Sequence, residues 1–392
     1  MFYSRKIYPQ LLSHAQNPLV TVLTGMRRTG KTTLIKRLLE DFPNKNSLYL
    51  DLQRPDNREL FQPKNYEAVR DAFIARGLST DKPMVIALDE IQLAPESPSV
   101  IKYLSDHYSI KFIVTGSSSY YLKNLFLESL SGRKKVFELH PLDFGEYLVF
   151  KGISFSPGDW KRENFNQAEF NRLSPYYEDY VRFGGFPQVV LAQSESEKKD
   201  LLSDIMSSYI NIDVRSLADF SDERNLYALA KLLAGRVGNR VEYSNLSRLI
   251  GLSRPTVTNY LSFFEKTYLV STISVYTKSV DREIVKARKL YFCDTGIANT
   301  LAELSSGSQF ENTLYNQLGR QGQLQYYALK SGQEIDFVLD ANFALEAKET
   351  PTGEDLMYLK RMASIAGVAN FRLIGRRQSP KFNDYTWAGS IL

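Results

Sequence analysis

The chain of 392 residues has one cysteine, Cys293, and three histidines, His14, His107 and His140. A single thiol excludes a disulfide framework and any zinc site built from several cysteines. The histidines are scattered without metal-ligand spacing, so they read as structural, and no Ser–His–Asp arrangement can be assembled around them. Trp160 and Trp387 are the only tryptophans and read as packing residues. Cys293, inside an aromatic strand-like run, reads as a small buried hydrophobe. No apolar run approaches the roughly 18 residues needed to cross a bilayer. The opening segment, MFYSRKIYPQLLSHAQNPLV, is interrupted by polar residues and makes a poor secretory signal. These absences predict a cytoplasmic protein without a membrane partner.

What is present suits packed domains. Hydrophobic residues make up 43% and charged residues 24%, with 24 Tyr and 23 Phe to fill cores. The net charge is +5 but unevenly spread: Lys231–Lys289 holds 11 Lys or Arg against 4 Asp or Glu, a net of +7 that leaves −2 for the rest. A basic middle in a near-neutral chain is the footprint of nucleic-acid contact, or else a solvated face.

Short apolar runs alternate with helical patterns in the first 145 or so residues. Strand candidates are Leu19–Thr24, Ser47–Leu52, Met84–Leu88, Lys111–Thr115 and Lys135–Leu139. Several are apolar nearly throughout, as in strands buried on both faces of a parallel sheet, which predicts an α/β domain. The pattern then turns helical to about Asp222. A helix-turn-helix pattern covers Leu226–Val270, and the last hundred residues return to a mixed pattern.

Gly25-Met-Arg-Arg-Thr-Gly30-Lys31-Thr32 matches the P-loop pattern in full, between an apolar strand and the helical run TTLIKRLLEDF. Glycines at those positions let backbone amides turn inward around phosphate oxygens, and the helix N-terminus adds its dipole. Gly25, Arg27, Arg28, Thr29, Gly30, Lys31, Thr32 and Thr33 are therefore the candidate ATP-binding residues. Lys31 would reach the β- and γ-phosphates and Thr32 would ligate Mg²⁺. Met84–Leu88 leads into Asp89 and Glu90. Asp89 would hold the metal through water, and Glu90 would orient and deprotonate the attacking water. Ser117, after the strand ending in Thr115, suits a polar sensor of the γ-phosphate. Arg133 suits a transition-state arginine, acting in cis or across a subunit boundary.

GMRRTGKTTL, IALDEIQ, VTGSSS and LSGRKKVFELHPLDFGEYL, in that order, resemble the AAA+-type ATPases of bacteria and archaea. They resemble in particular the group with a C-terminal, nuclease-like domain of unknown function. YVRFGGFPQVV (Tyr180–Val190) and YFCDTGIAN (Tyr291–Asn299) resemble two further landmarks of that group. The resemblance implies a P-loop parallel-sheet core at 1–145, a helical lid at 146–225, a winged helix at 226–285 and a restriction-endonuclease-like α/β domain at 286–392. It also implies the roles above for Lys31, Thr32, Asp89, Glu90, Ser117 and Arg133. Sites of this class often complete themselves between subunits, so Arg133 hints at a homo-oligomer.

Ser244–Leu252 and Ser253–Phe264 read as two short helices joined by a tight turn, with Ser253 as an N-cap and Pro255 early in the second. The run Leu269–Val275 and the basic run Arg282–Lys289 would form a wing. In a DNA-reading mode Arg254, Thr256, Thr258 and Asn259 would face the major groove. Winged helices in such ATPases also serve as lids or protein contacts.

Toward the C-terminus, Glu311 lies on a helical pattern, Asp336 on a strand, and Glu346 and Lys348 on one face of the next strand. A hairpin would bring Asp336 near Glu346, where carboxylates bind Mg²⁺ or Mn²⁺, and Lys348 would position or activate a water that attacks a phosphodiester. With Glu311 as a further ligand, this resembles the PD-(D/E)xK nuclease core. That core's helix–strand–strand–strand–helix–strand order fits Phe310 to Gly375, with Ile335 where proline is often found. The leading expectation is a DNA-associated ATPase with a nuclease-like C-terminal domain. The alternative is a nucleotide-dependent switch or assembly protein whose C-terminal domain is a binding platform.

Overall fold

Strands that are apolar on both faces must be covered on both faces, and the N-terminal sheet meets that requirement. The computed structural model describes residues 2–43, 45–62, 65–117, 130, 132–214 and 223–392. Strands β1 (Val20–Thr24), β2 (Ser47–Asp51), β3 (Val85–Asp89), β4 (Lys111–Gly116) and β5 (Lys134–Glu138) form one parallel sheet in the order β2-β3-β4-β1-β5. Each lies within a residue or two of its expected position. Alternation along the strands divides the core in two. Val20, Val22, Ile86, Leu88, Phe112 and Val114 pack with Phe73, Ile101 and Leu104 on one face. Leu23, Val85, Ala87 and Ile113 pack with Leu34, Ile35 and Leu38 on the other.

The chain divides into two compact units. The first is Met1–His140 together with Lys266–Tyr268, and the second holds the described residues from Pro141 onward apart from those three. The segments expected as lid, winged helix and C-terminal domain thus share one unit, because side chains sew them together. In the helix Gln167–Phe183, Tyr177 donates to Gln317 at 2.9 Å, and Glu178 accepts from Arg376 at 2.6 Å. Trp160 Nε1 donates to Gln321 at 2.9 Å. Phe170 and Tyr177 meet Trp387 edge to face.

Two helices follow one another at Tyr243–Ile250 and Arg254–Lys266, the second capped by Ser253, whose hydroxyl accepts from the Thr256 amide at 3.2 Å. Arg254, Thr258 and Asn259 are exposed, and Thr256 is half-buried. The expected wing differs in its second arm. β6 (Val270–Ile273) pairs antiparallel with β7 (Lys289–Phe292), but Val280–Val285 is a short helix capped by Ser279. A capped first turn carrying Asp281 and Glu283 at a helix N-terminus wins over the extended conformation there.

The C-terminal sheet has the order β12-β11-β10-β9-β8, with β8 (Leu324–Ala328), β9 (Glu334–Leu339), β10 (Phe343–Lys348), β11 (Asn370–Gly375) and β12 (Thr386–Trp387). β8, β9 and β10 are antiparallel neighbours, while β10, β11 and β12 run parallel. The helix Ser306–Leu318 precedes the sheet and Gly353–Ala366 connects β10 to β11. This is the element order expected from Phe310 to Gly375. Among the described residues no helix is long and apolar enough to cross a membrane.

Candidate functional site

The loop after β1 is shaped by positions that tolerate no side chain or a positive φ. A Cβ on Gly25 (φ 145°) would sit 2.1 Å from the Leu139 carbonyl oxygen. Gly30 (φ 101°) opens the helix Lys31–Asp41 in a left-handed conformation. Thr29 is buried and donates to the Met26 carbonyl at 2.9 Å. Arg5 clamps the loop from outside, donating to the carbonyls of Thr29 at 2.9 Å and His140 at 2.8 Å. The buried Lys31 ammonium donates to the carbonyls of Gly25 at 2.8 Å and Met26 at 3.0 Å. It therefore lies inside the loop that its neighbouring amides surround. Arg27 and Arg28 are half-buried, and Thr33 is exposed on the helix.

The end of β3 closes on the same loop. Thr32 Oγ1 donates to Asp89 Oδ2 at 2.7 Å. Tyr49 donates to the same oxygen at 2.8 Å, and Thr115 Oγ1 donates to Asp89 Oδ1. Burial first, and then Asp89, push the Tyr49 phenol well above its usual range, so Tyr49 stays a donor. A hydroxyl and a carboxylate this close form a hard-oxygen pair that fits a magnesium ion. Glu90 has φ 59°, left-handed for a residue with a side chain, and its amide donates to Thr115 Oγ1 at 3.1 Å. Its carboxylate accepts from Gln92 Nε2, which also reaches Ser117 Oγ at 3.2 Å. Arg27 Nη1 lies 3.8 Å from Glu90 Oε1. Tyr49, Gln92 and Arg5 are participants that sequence reading missed, and only the hydroxyl-bearing strand end at Thr115 gave a local signal.

Residues 17–148 match the family model of the AAA domain. This stretch of the chain is similar to an AAA domain. Residues 174–308 match a domain of unknown function (DUF8612), which covers both the Tyr180–Val190 and Tyr291–Asn299 segments. An uncharacterized protein of Methanocaldococcus jannaschii is 24% identical over 331 residues, 82% of this chain and 72% of its own length. One from Haemophilus influenzae is 25% identical over 355 residues, 86% and 83% respectively. A solved signal transduction ATPase with numerous domains and a tetratricopeptide repeat sensor, from Pyrococcus horikoshii, aligns at TM-score 0.31 and 14% identity, over 82% of this chain and 46% of that one. The chain spans under half the length of that structure, and a superposition so loose carries no weight here.

Arg133 stands far from the P-loop of its own chain. Val20 donates to the Arg133 carbonyl at 2.8 Å, whereas Thr24, which leads into the P-loop, pairs with Glu138. Five residues of strand place Arg133 about 16 Å away, at the opposite end of the strands. There its guanidinium pairs with Asp106 at 3.1 Å.

In the second unit, β9 and β10 pair so that Leu345 faces Phe337, which sets Glu346 opposite Asp336. Asp336 Oδ2 accepts from the Ala347 amide at 2.9 Å, and the Asp336 amide points at Glu346 Oε2 at 3.4 Å. Lys348 Nζ lies 3.0 Å from Glu346 Oε1. Burial and the adjacent Asp336 raise the Glu346 carboxyl above its usual range. A fourth group, expected from the sequence only at the end of the basic wing run, changes the site. The buried Lys289 ammonium lies 2.8 Å from Glu334, 3.4 Å from Glu311 and 3.7 Å from Asp336. Burial pulls its pKa down, but the three carboxylates more than reverse that, so it stays charged. Glu311 also accepts from Tyr291 at 2.7 Å. The expected set of Glu311, Asp336 and Glu346 is therefore not gathered around a shared cation position. Glu311 turns to Lys289, and among the described residues no three acidic, His or Cys groups are arranged to hold a metal. Only Asp336 and Glu346 remain together as hard-oxygen donors.

The two landmark segments of the DUF8612 region meet each other. The Gly185 amide donates to Asp294 Oδ2 at 2.7 Å and the Ile297 amide to Oδ1 at 3.1 Å. These contacts tie the two segments together within the second unit.

Proposed function

We propose that this protein hydrolyses ATP at the P-loop and uses the cycle to control a DNA-engaging second unit. The observation that carries the ATPase reading is the 2.7 Å contact between Thr32 and Asp89, beside a Lys31 ammonium held by loop carbonyls. Thr32 and Asp89 would hold magnesium, which when bound neutralises charge on the phosphate oxygens. Lys31 exchanges its carbonyl contacts for phosphate oxygens. Glu90 takes the proton of the attacking water, with Gln92 fixing one carboxylate oxygen and linking it to Ser117. Arg133 acts on a neighbouring copy's nucleotide.

DNA engagement is supported by the basic middle and by the exposed Arg254, Thr258 and Asn259, with Thr256 half-buried beside them. A nuclease-like role for the C-terminal sheet is supported by its element order and by Asp336, Glu346 and Lys348 at one place. The second reading, an ATP-driven switch with a binding platform, is favoured by Lys289, which already neutralises part of the acidic cluster.

The test incubates the full chain with linear and branched DNA in Mg²⁺ or Mn²⁺, with and without ATP, beside Asp336→Ala and Lys31→Ala. Cutting by wild type but not by Asp336→Ala establishes the nuclease reading, and the Lys31→Ala lane shows whether ATP governs it. ATP turnover without cutting under any condition gives the switch reading.

A further inference from the structure

A cavity of about 430 Å³ opens where the chain turns between the helices Glu223–Ala234 and Tyr243–Ile250. Arg236, Asn239 and Arg240 line it from that turn and Asn245 from the second helix, and Lys289 and Glu334 form its contact with the acidic cluster. Volumes of this order suit a nucleotide-sized group. Close approach is built in. Gly238, also on the lining, has φ 77°, and a Cβ there would stand 2.6 Å from the Glu311 carboxylate. Only glycine lets the turn lie against the cluster.

The arginines are held differently. Arg240 is fixed, with Nη2 on Glu334 at 2.8 Å and its guanidinium over the Tyr326 ring at 5.4 Å. Arg236 is half-buried, lines the cavity, and commits Nη1 to the Leu232 carbonyl at 2.9 Å. Planar guanidinium groups match phosphate oxygens in pairs, and the asparagines add neutral donors.

Charge decides which phosphate. The lining carries three cations (Arg236, Arg240 and Lys289) against Glu242 and Glu334, a net of +1. Behind Lys289 stand Glu311 and Asp336. A singly charged phosphodiester balances that lining, whereas a terminal phosphate or a triphosphate brings excess negative charge toward the carboxylates. We infer that this cavity binds one phosphodiester of a nucleic-acid backbone, with Arg236 as its principal donor, on the side of Lys289 that faces away from Asp336. The inference rests on the reading that the second unit engages DNA, and it names where the backbone sits.

The experiment uses the full chain carrying Lys31→Ala, so that the P-loop does not contribute phosphate binding. A short fluorescein-labelled duplex is titrated by anisotropy between about 50 and 200 mM salt, with ATP and inorganic phosphate as competitors. Thermal melting verifies folding of each variant. Arg236→Gln is expected to weaken duplex binding about ten-fold and to lower the salt slope by about one, with Arg236→Lys recovering the slope but only part of the affinity. Equal binding by Arg236→Gln, together with a loss in Arg254→Ala, overturns the cavity while DNA engagement stands. No duplex binding by any form overturns both. Competition by ATP or inorganic phosphate as strong as by unlabelled duplex overturns the assignment to a diester.

Discussion

The buried Lys289 ammonium stands 2.8 Å from Glu334, a residue 45 positions later in the chain. Glu311 and Asp336 complete its surroundings. A cation enclosed by carboxylates neutralises charge that would otherwise repel inside the second unit. Removing one partner of such a buried set costs more than the pair itself contributes, because the remaining charges stay buried.

Lys289→Met is accordingly expected to destabilise the second unit by about 3–5 kcal/mol. Added Mn²⁺ should recover part of that loss, because a divalent ion can replace the missing charge among the carboxylates. Thermal melts with and without Mn²⁺ read both effects. An unchanged melting temperature would show that the ion pairs do not support this fold.

Glu90→Gln and Lys31→Ala should separate binding from turnover. Glu90→Gln keeps nucleotide affinity and loses about 10²–10⁴-fold in hydrolysis, the usual contribution of a positioned general base. Lys31→Ala loses binding itself. Titration with a fluorescent ADP and steady-state phosphate release distinguish the two, and full turnover by Glu90→Gln would remove Glu90 from its proposed role.

Stability of the first unit should fall in mild acid. His14 is buried against Phe137, with Nδ1 2.8 Å from Thr21 Oγ1 and its Nε2 without a partner. Burial first, then Lys111 and Lys135, lowers its pKa to about 4, against an ordinary value near 6.5. The folded state thus favours neutral imidazole. Stability from this group is complete above about pH 6.5, is lost as pH falls toward 4, and declines no further below that. Urea midpoints for wild type and His14→Gln across this window test it, since the variant should lack that share of the slope.

Asp294→Ala should lower the melting temperature of the second unit. It leaves the Gly185 and Ile297 amides without their acceptor, at about 1–3 kcal/mol for each buried orphan. Amide hydrogen exchange at Gly185 and Ile297 would report the loss directly. Protection equal to wild type would show that other groups satisfy these amides.

Much of this protein was legible locally. The buried strands of the first sheet announce themselves as apolar runs, because covering a sheet on both faces demands it of each strand separately. The P-loop is equally local: glycine positions, the lysine and the hydroxyl residue act within one turn of chain. Asp336, Glu346 and Lys348 could be placed together because a two-residue periodicity and a short hairpin suffice. The wing departs from its expected form because Val280–Val285, which overlaps the start of the basic run, is a capped helix that charge composition alone does not reveal.

Tertiary structure decided what depends on distant partners. Parallel register put Arg133 at the strand end away from the P-loop. Gly185 found Asp294 across 109 positions. Lys289 entered the acidic cluster from β7, a strand outside the C-terminal sheet, and so turned an expected metal set into an ion-paired one. The physical reason is common to all three. Hydrophobic periodicity fixes each element by itself, but electrostatic neutralisation and hydrogen-bond satisfaction are settled only when packing selects which charges and amides are buried together.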